Sequence, residues 1–499
     1  MQGSGAWLKP VSSENGKGVV LQCPAYSPFI PALAAAVLNG AIWNRGAPEP
    51  HELPRLTIYL PALVCVEPLK RSFLEQAPDG ATFLPRIRVL GEADPLDLFA
   101  TYGPHMPSPA EALDLLERAL AVPPAFDEFE RQVHLASLAV QASQSLRGTR
   151  LMHEPVFVSI AATSALAIAG QIAALIGEGH SEGADLSRIE LFDSARASGS
   201  EQLSLQLLRT VLRGWRAYKA KTGRLDREER RNRLMAIEAE FIRRSDAPVI
   251  IAGSTGSVAA TATLMEAALS RPQSAVVLYG YDANACHGTA APGSHPEHPQ
   301  HGLAQLLARL NIRPDEVRPL PPLGGEGGAE ESDAQRRAGF LREALCPAPA
   351  TAGWGRYIET LRQAAGSPVP GLSLIEAGTV EDEAAAIAFI LRESLETPGR
   401  TAALVTPSES LLDRVRHVLA QWGLAADRPD ARGGNVLAAR AAACAASAKP
   451  EDLVELMRLA RGETSGRFAR DAEIVDLGVL RQMWRPSSLD GIPAALSRA

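Results

Sequence analysis

Aromatic residues are scarce in this chain. Phe, Trp and Tyr make up 5% of its 499 residues, while hydrophobic residues as a whole make up 46%. The apolar mass is mostly Ala and Leu, so much of the chain is predicted to be helical. Cysteine is scattered: Cys23, Cys65, Cys286, Cys346 and Cys444 include no CxxC pair, and their spacing points to neither a disulfide framework nor a zinc ribbon. A basic excess is missing as well. The formal net charge is -7, which speaks against a free-standing nucleic-acid binder and leaves room only for a local cationic channel. The N-terminus has no basic segment followed by an apolar run, so no signal peptide is expected. The most apolar helix-like stretch, residues 156–176, contains Ser, Thr, Gly and Gln and reads as a buried helix rather than a membrane span. These exclusions leave a cytoplasmic protein without membrane contact, long enough for two to four structural units.

What is present is an alternation of strand and helix signals. Residues 18–21, 56–60 and 83–90 read as strands, with a helix over Phe29–Leu38 between the first two. This is the pattern of a parallel α/β sheet. From Ser108 the pattern changes: Ser-Pro-Ala-Glu is a good helix start, and long Ala/Leu-rich periodic segments follow. The charged run 226–244 reads as a solvated helix, with the mixed charges around Arg227, Arg230, Arg231 and Arg233 forming a solvated or domain-docking face. Strand signals return at 248–252 and 275–279, followed by a Gly/Pro/His-rich loop and a Pro/Gly/Glu-rich linker at 319–333. A second α/β unit is expected, with strands at 372–376 and 401–405 and helices at 381–395 and 408–422. The boundaries predicted are a first α/β domain in two parts (1–107 and 246–345), a helical insertion (108–245) and a linker (346–370). After these come the start of a second α/β domain (371–436) and of a second helical insertion (437–499).

The strand ends are where chemistry would sit. A phosphate loop after the first strand needs glycines, a Lys and a hydroxyl. This chain offers Cys23-Pro24-Ala25-Tyr26-Ser27-Pro28-Phe29, with no Gly or Lys and with prolines that remove N–H donors. The strand Val249-Ile250-Ile251-Ala252 lacks the acidic pair that would hold magnesium. It ends instead in Gly253, Ser254, Thr255, Gly256 and Ser257. That loop could bind phosphate at the helix start that follows, or serve simply as a tight turn. A GxSxG nucleophile elbow is absent. Cys286, His287, His295, His298 and His301 are zinc-ligand types, but their spacing fits no closed site and the segment reads as a surface loop without metal. For DNA, the candidate cations are Lys70 and Arg71 just past the second strand and Arg86 and Arg88 in the third. No catalytic residue is identified.

Several stretches in order resemble the AddB family of the alphaproteobacterial type. They include Glu229-Arg230-Arg231-Asn232-Arg233-Leu234, Val249 to Ser257, His298-Pro299-Gln300-His301-Gly302-Leu303, residues 371–377, residues 397–407 and residues 84–91. The resemblance spans about residue 20 to residue 480. It implies a superfamily-1 helicase-like (RecA-like) pair of parallel-sheet domains with helical insertions. It also implies a place in an AddAB-type complex for double-strand break repair and recombination, beside an AddA-like motor subunit and DNA. The family's iron–sulfur cluster belongs to a C-terminal nuclease domain, which these residues do not include, so no cofactor is expected here. One departure stands out. The basic strand-end motif expected of the family, a Pro-Thr-Arg-Arg-like run, reads here Pro61-Ala62-Leu63-Val64, without the two cations. Two other readings stay open: a nucleotide- or sugar-nucleotide-binding α/β enzyme using the Gly253–Gly256 turn, although no GxGxxG fingerprint is present, and a non-functional truncated remnant.

Overall fold

The computed structural model describes residues 17–43, 46–77, 81–145, 150–151, 154–155, 162–191, 199–282, 285, 295–321, 333–363 and 369–424. The predicted second insertion and most of the two Gly/Pro-rich loops lie outside them. The described residues divide into two compact units, one within residues 17–363 and one within residues 369–424.

The first unit is built on β1 (Val19–Cys23), α1 (Phe29–Leu38), β2 (Thr57–Leu60), α2 (Val66–Gln76), β3 (Arg86–Val89) and α3 (Pro95–Tyr102). A helical excursion follows: α4 (Pro109–Leu120), α5 (Glu128–Ser145), a minimal antiparallel pair β4 (Arg150–Leu151) and β5 (Glu154–Pro155), α6 (Ala162–Glu182), α7 (Gly199–Thr222) and α8 (Arg227–Arg244). The chain then returns through β6 (Val249–Ala252), α9 (Ala259–Leu269), β7 (Ala275–Tyr279), α10 (His301–Arg309), β8 (Arg318–Pro319), α11 (Asp333–Ala344) and α12 (Trp354–Gln363).

Six strands form one sheet in the order β3-β2-β6-β7-β1-β8, with every neighbouring pair parallel. All four residues of β2 and of β6 are buried, as a parallel sheet covered on both faces requires. The side chains alternate. Tyr59, Val249, Ile251, Val276 and Leu278 pack under α3, α4, α8, α9 and α10, whereas Ile58, Leu60, Ile250, Ala252 and Val277 pack under α1 and α2. Burying each large apolar side chain contributes roughly 1.5–3 kcal/mol. β8, read from sequence as the start of a linker, pairs with β1 at the sheet edge, where Pro319 can sit because an edge strand has one unpaired side.

α8 corrects the prediction of a solvated helix. Its charged first half masks a buried second half, Leu234, Met235, Ile237, Glu238, Ala239, Phe241 and Ile242, which lies on the sheet with Leu115 and Ala119 of α4. α4 and α8 thus cover the sheet. α5, α6 and α7 make a separate core from Leu135, Ala139, Ile172, Ala173, Val211 and Trp215. Residues 348–363, expected to be linker, carry a short 3-10 turn and α12. Cys346 is disulfide-bonded, a bridge that scattered spacing in sequence could not announce.

In the second unit α13 (Val380–Leu395) and α14 (Glu409–Gln421) pack through Ala384, Ala388, Leu411, Val415 and Leu419. Both expected strands are missing: 372–376 and 401–405 make no ladder, and Leu374 and Val405 are 85% and 93% exposed. A strand-forming sequence becomes a strand only when a neighbour pairs with it, and none does so among the described residues.

Candidate functional site

In a parallel α/β sheet, ligands bind outside the carboxyl ends of the strands where the strand order reverses. Here β1 is followed in the chain by β2 on one side of it, and β7 by β8 on the other. The reversal falls between β1 and β7, and the loops after these strands line a cavity of about 580 Å³.

The β1 loop is compact. Ser27 N donates to Pro24 O at 3.0 Å, and α1 begins after Pro28 without a side-chain cap. Cys23 at the strand end is buried, which pushes its thiol up. Neither a glycine cradle nor an ammonium is available here for a phosphate chain.

The loop after β6 is a tight turn in which the N–H groups of both glycines are already engaged. Gly253 N donates to Val277 O at 2.9 Å, and Gly256 N donates to Ser254 Oγ at 3.3 Å. Thr255 Oγ1 donates to Ser257 Oγ at 3.3 Å. Both glycines have positive φ, +77° and +63°, and a Cβ at Gly256 would meet Leu306 Cδ1 at 2.5 Å. These features fit the turn reading without any ligand.

The four candidate DNA cations separate sharply. Lys70 and Arg71 lie in the second turn of α2, which starts just beyond the carboxyl end of β2. Among the described residues Lys70 makes only an exposed pair with Glu67, at 2.7 Å, and Arg71 is exposed. Arg86 donates to the carbonyls of Ala100 and Thr101 at 3.1 and 2.8 Å, closing the end of α3. Arg88 is 8% exposed; its guanidinium pairs with Asp97 and lies 3.7 Å from Glu238. Tyr59 donates to Glu238 at 2.6 Å and contacts the Tyr102 hydroxyl at 2.7 Å. Burial pushes the Glu238 carboxyl up, and Arg88 opposes that shift. Arg88 is therefore committed to the fold, a role its alternation in β3 did not reveal.

His298, assigned from sequence to a surface loop, is 6% exposed at the cavity. His298, Pro299 and Gln300 form a turn: His301 N donates to His298 O at 2.8 Å, and Gln300 binds both Gly280 O and Asp282 N through its amide. Asp282 pairs with Arg342 of α11. Asp282 and Gln300 were missed in the sequence; the usable signal was Asp282, three residues past the end of β7. Cys286 and His287 lie outside the described residues.

The described residues include one group with metal-ligand composition: His180, Asp226 and Glu229. Lys219 already fills the cation's place there, 2.7 Å from both Asp226 Oδ2 and Glu229 Oε2. Trp215 Nε1 donates to Asp226 Oδ1 at 3.1 Å. The cluster ties α6 and α7 to the start of α8.

Fold and site together define an α/β protein with an all-parallel six-stranded sheet and a ligand-sized crevice at its topological switch point, with no glycine-rich phosphate loop among the described residues there. No protein-family model and no curated protein matches the chain. No helix among the described residues is long and apolar enough to cross a membrane.

Proposed function

We propose that this chain is the ATPase-inactive, helicase-like part of an AddB-type subunit, working in the cytoplasm beside an AddA-like motor in double-strand DNA break repair. The observation that carries the reading is the sheet. Two strands stand between β1 and β2, as in RecA-like sheets, while the loops that would handle nucleotide and magnesium hold prolines and a self-satisfied glycine turn. A helicase frame without its engine suits a subunit that grips a strand while another drives it. Fold alone does not assign function; the AddB-like sequence stretches give the reading its content. The dinucleotide-enzyme alternative has less support. Dinucleotide sheets run 3-2-1-4-5-6, with the first two strands adjacent, and the N–H groups of Gly253 and Gly256 are engaged within the protein. Any iron–sulfur cluster would belong to a nuclease domain outside these residues.

The test is co-expression with an AddA-like motor, followed by size-exclusion chromatography with and without single-stranded DNA. The reading expects a stable complex that retains DNA at low salt. A chain that stays apart from the motor and holds no strand contradicts it.

A further inference from the structure

The crevice between β1 and β7 is more than a vacated nucleotide site. α11 spans it without a single buried residue, so the helix roofs the cavity instead of filling it. Two polar groups beneath that roof are left over. Gln300 N–H donates to His298 Nδ1 at 2.9 Å, which puts the proton of the neutral ring on Nε2. Burial, helped by His295 and His301, lowers the His298 pKa and favours that neutral form. The resulting Nε2–H makes no hydrogen bond among the described residues, and His298, 6% exposed as a residue, lines the cavity. On the end of β1, Gln22 Oε1 is buried without a partner. Leaving that buried acceptor unmade costs about 1–3 kcal/mol, and Gln22 and His298 line the same space.

We propose that this cavity binds one unpaired nucleobase. The edge of a base presents acceptor and donor side by side, which answers His298 Nε2–H and Gln22 Oε1 together. Tyr26, an exposed aromatic residue, and the buried Tyr281 also line the cavity, and Tyr26 offers an aromatic face of the kind on which unpaired bases stack. Arg337 and Arg342 of α11 bring positive charge to the same wall. The prolines after β1 deny a polyphosphate its backbone donors, so the ligand is a base or nucleoside rather than a triphosphate. That the base arrives in a DNA strand rests on the function proposed above; the chemistry of the pocket does not.

The experiment has two arms. Ligand-observed NMR on the whole chain with adenosine, guanosine, cytidine and thymidine expects binding of at least one. Gln22→Leu and His298→Phe should each weaken it about ten-fold or more with unchanged circular dichroism. If His298→Phe fails to fold, Gln22→Leu carries the test. In the second arm, a single-stranded oligonucleotide is compared with its fully abasic counterpart, and the abasic strand should bind more weakly. Nucleoside binding that both variants retain overturns the proposal. So does absence of nucleoside binding together with equal affinity for the two strands, as expected if the cavity holds only water. Nucleoside binding that depends on Gln22 and His298, without any strand binding, upholds the pocket and counts against the DNA-repair reading.

Discussion

Four arginines and lysines that look alike in sequence have different fates, and burial separates them. Arg88 is held by Asp97 and Glu238 beneath α3 and α8. Removing it leaves Glu238 buried without its cation, so Arg88→Ala should cost about 3–5 kcal/mol in chemical denaturation. Burial already raises the folded pKa of Glu238, and losing Arg88 raises it further. A raised carboxyl favours the fold at low pH and disfavours it as pH climbs through the folded pKa. The destabilisation by Arg88→Ala should therefore be smaller at pH 5 than at pH 8, and the opposite trend would count against this assignment. Lys70 and Arg71 predict the reverse pattern. With only an exposed Glu67 pair to lose, the double change to Ala should leave stability within about 0.5 kcal/mol but weaken low-salt binding of single-stranded DNA in fluorescence anisotropy. Undiminished binding would move the DNA contact elsewhere.

Among the elements, α8 joins the helical insertion to the sheet, and its first turn is the joint. Asp226 stands at the N-cap position but makes no side-chain cap; instead it binds Lys219, Trp215 and His180. Burial pushes its carboxyl up, and the hydrogen bonds from His180 and Lys219 more than reverse this, bringing it to about 2. A carboxyl lowered that far stabilises the fold by about 2 kcal/mol above the unfolded pKa, and the gain is lost as pH falls toward 2. Asp226→Asn should cost about 3–5 kcal/mol at neutral pH, because Lys219 loses a buried partner, and should flatten acid unfolding between pH 4 and 2. An unchanged acid transition would contradict the role of this joint. The elements themselves were unevenly legible. β2, β6 and β7 are short apolar runs in a sheet covered on both faces, so their sequences gave them away. α8 misled because its first half is charged and its buried face begins only at Leu234. β8 is two residues long and was hidden in a Pro-rich stretch. The cavity was half legible: the β1 loop was found from the strand-end rule, but the burial of His298 depends on long-range packing that spacing cannot express.

For the molecule as a whole, the central proposal is an α/β frame of helicase-like type without nucleotide chemistry. With a net charge of -7, the proposed function predicts that DNA would be held only through a local basic surface, with few counterions released and a shallow salt dependence. The prolines at Pro24 and Pro28 and the engaged donors of Gly253 and Gly256 bear on the claim more directly, because phosphate binding needs free backbone donors and a cation. Equilibrium dialysis of the purified chain against magnesium-ATP is the most direct test. The account predicts no binding at micromolar concentrations and no hydrolysis; saturable micromolar binding of magnesium-ATP would contradict it.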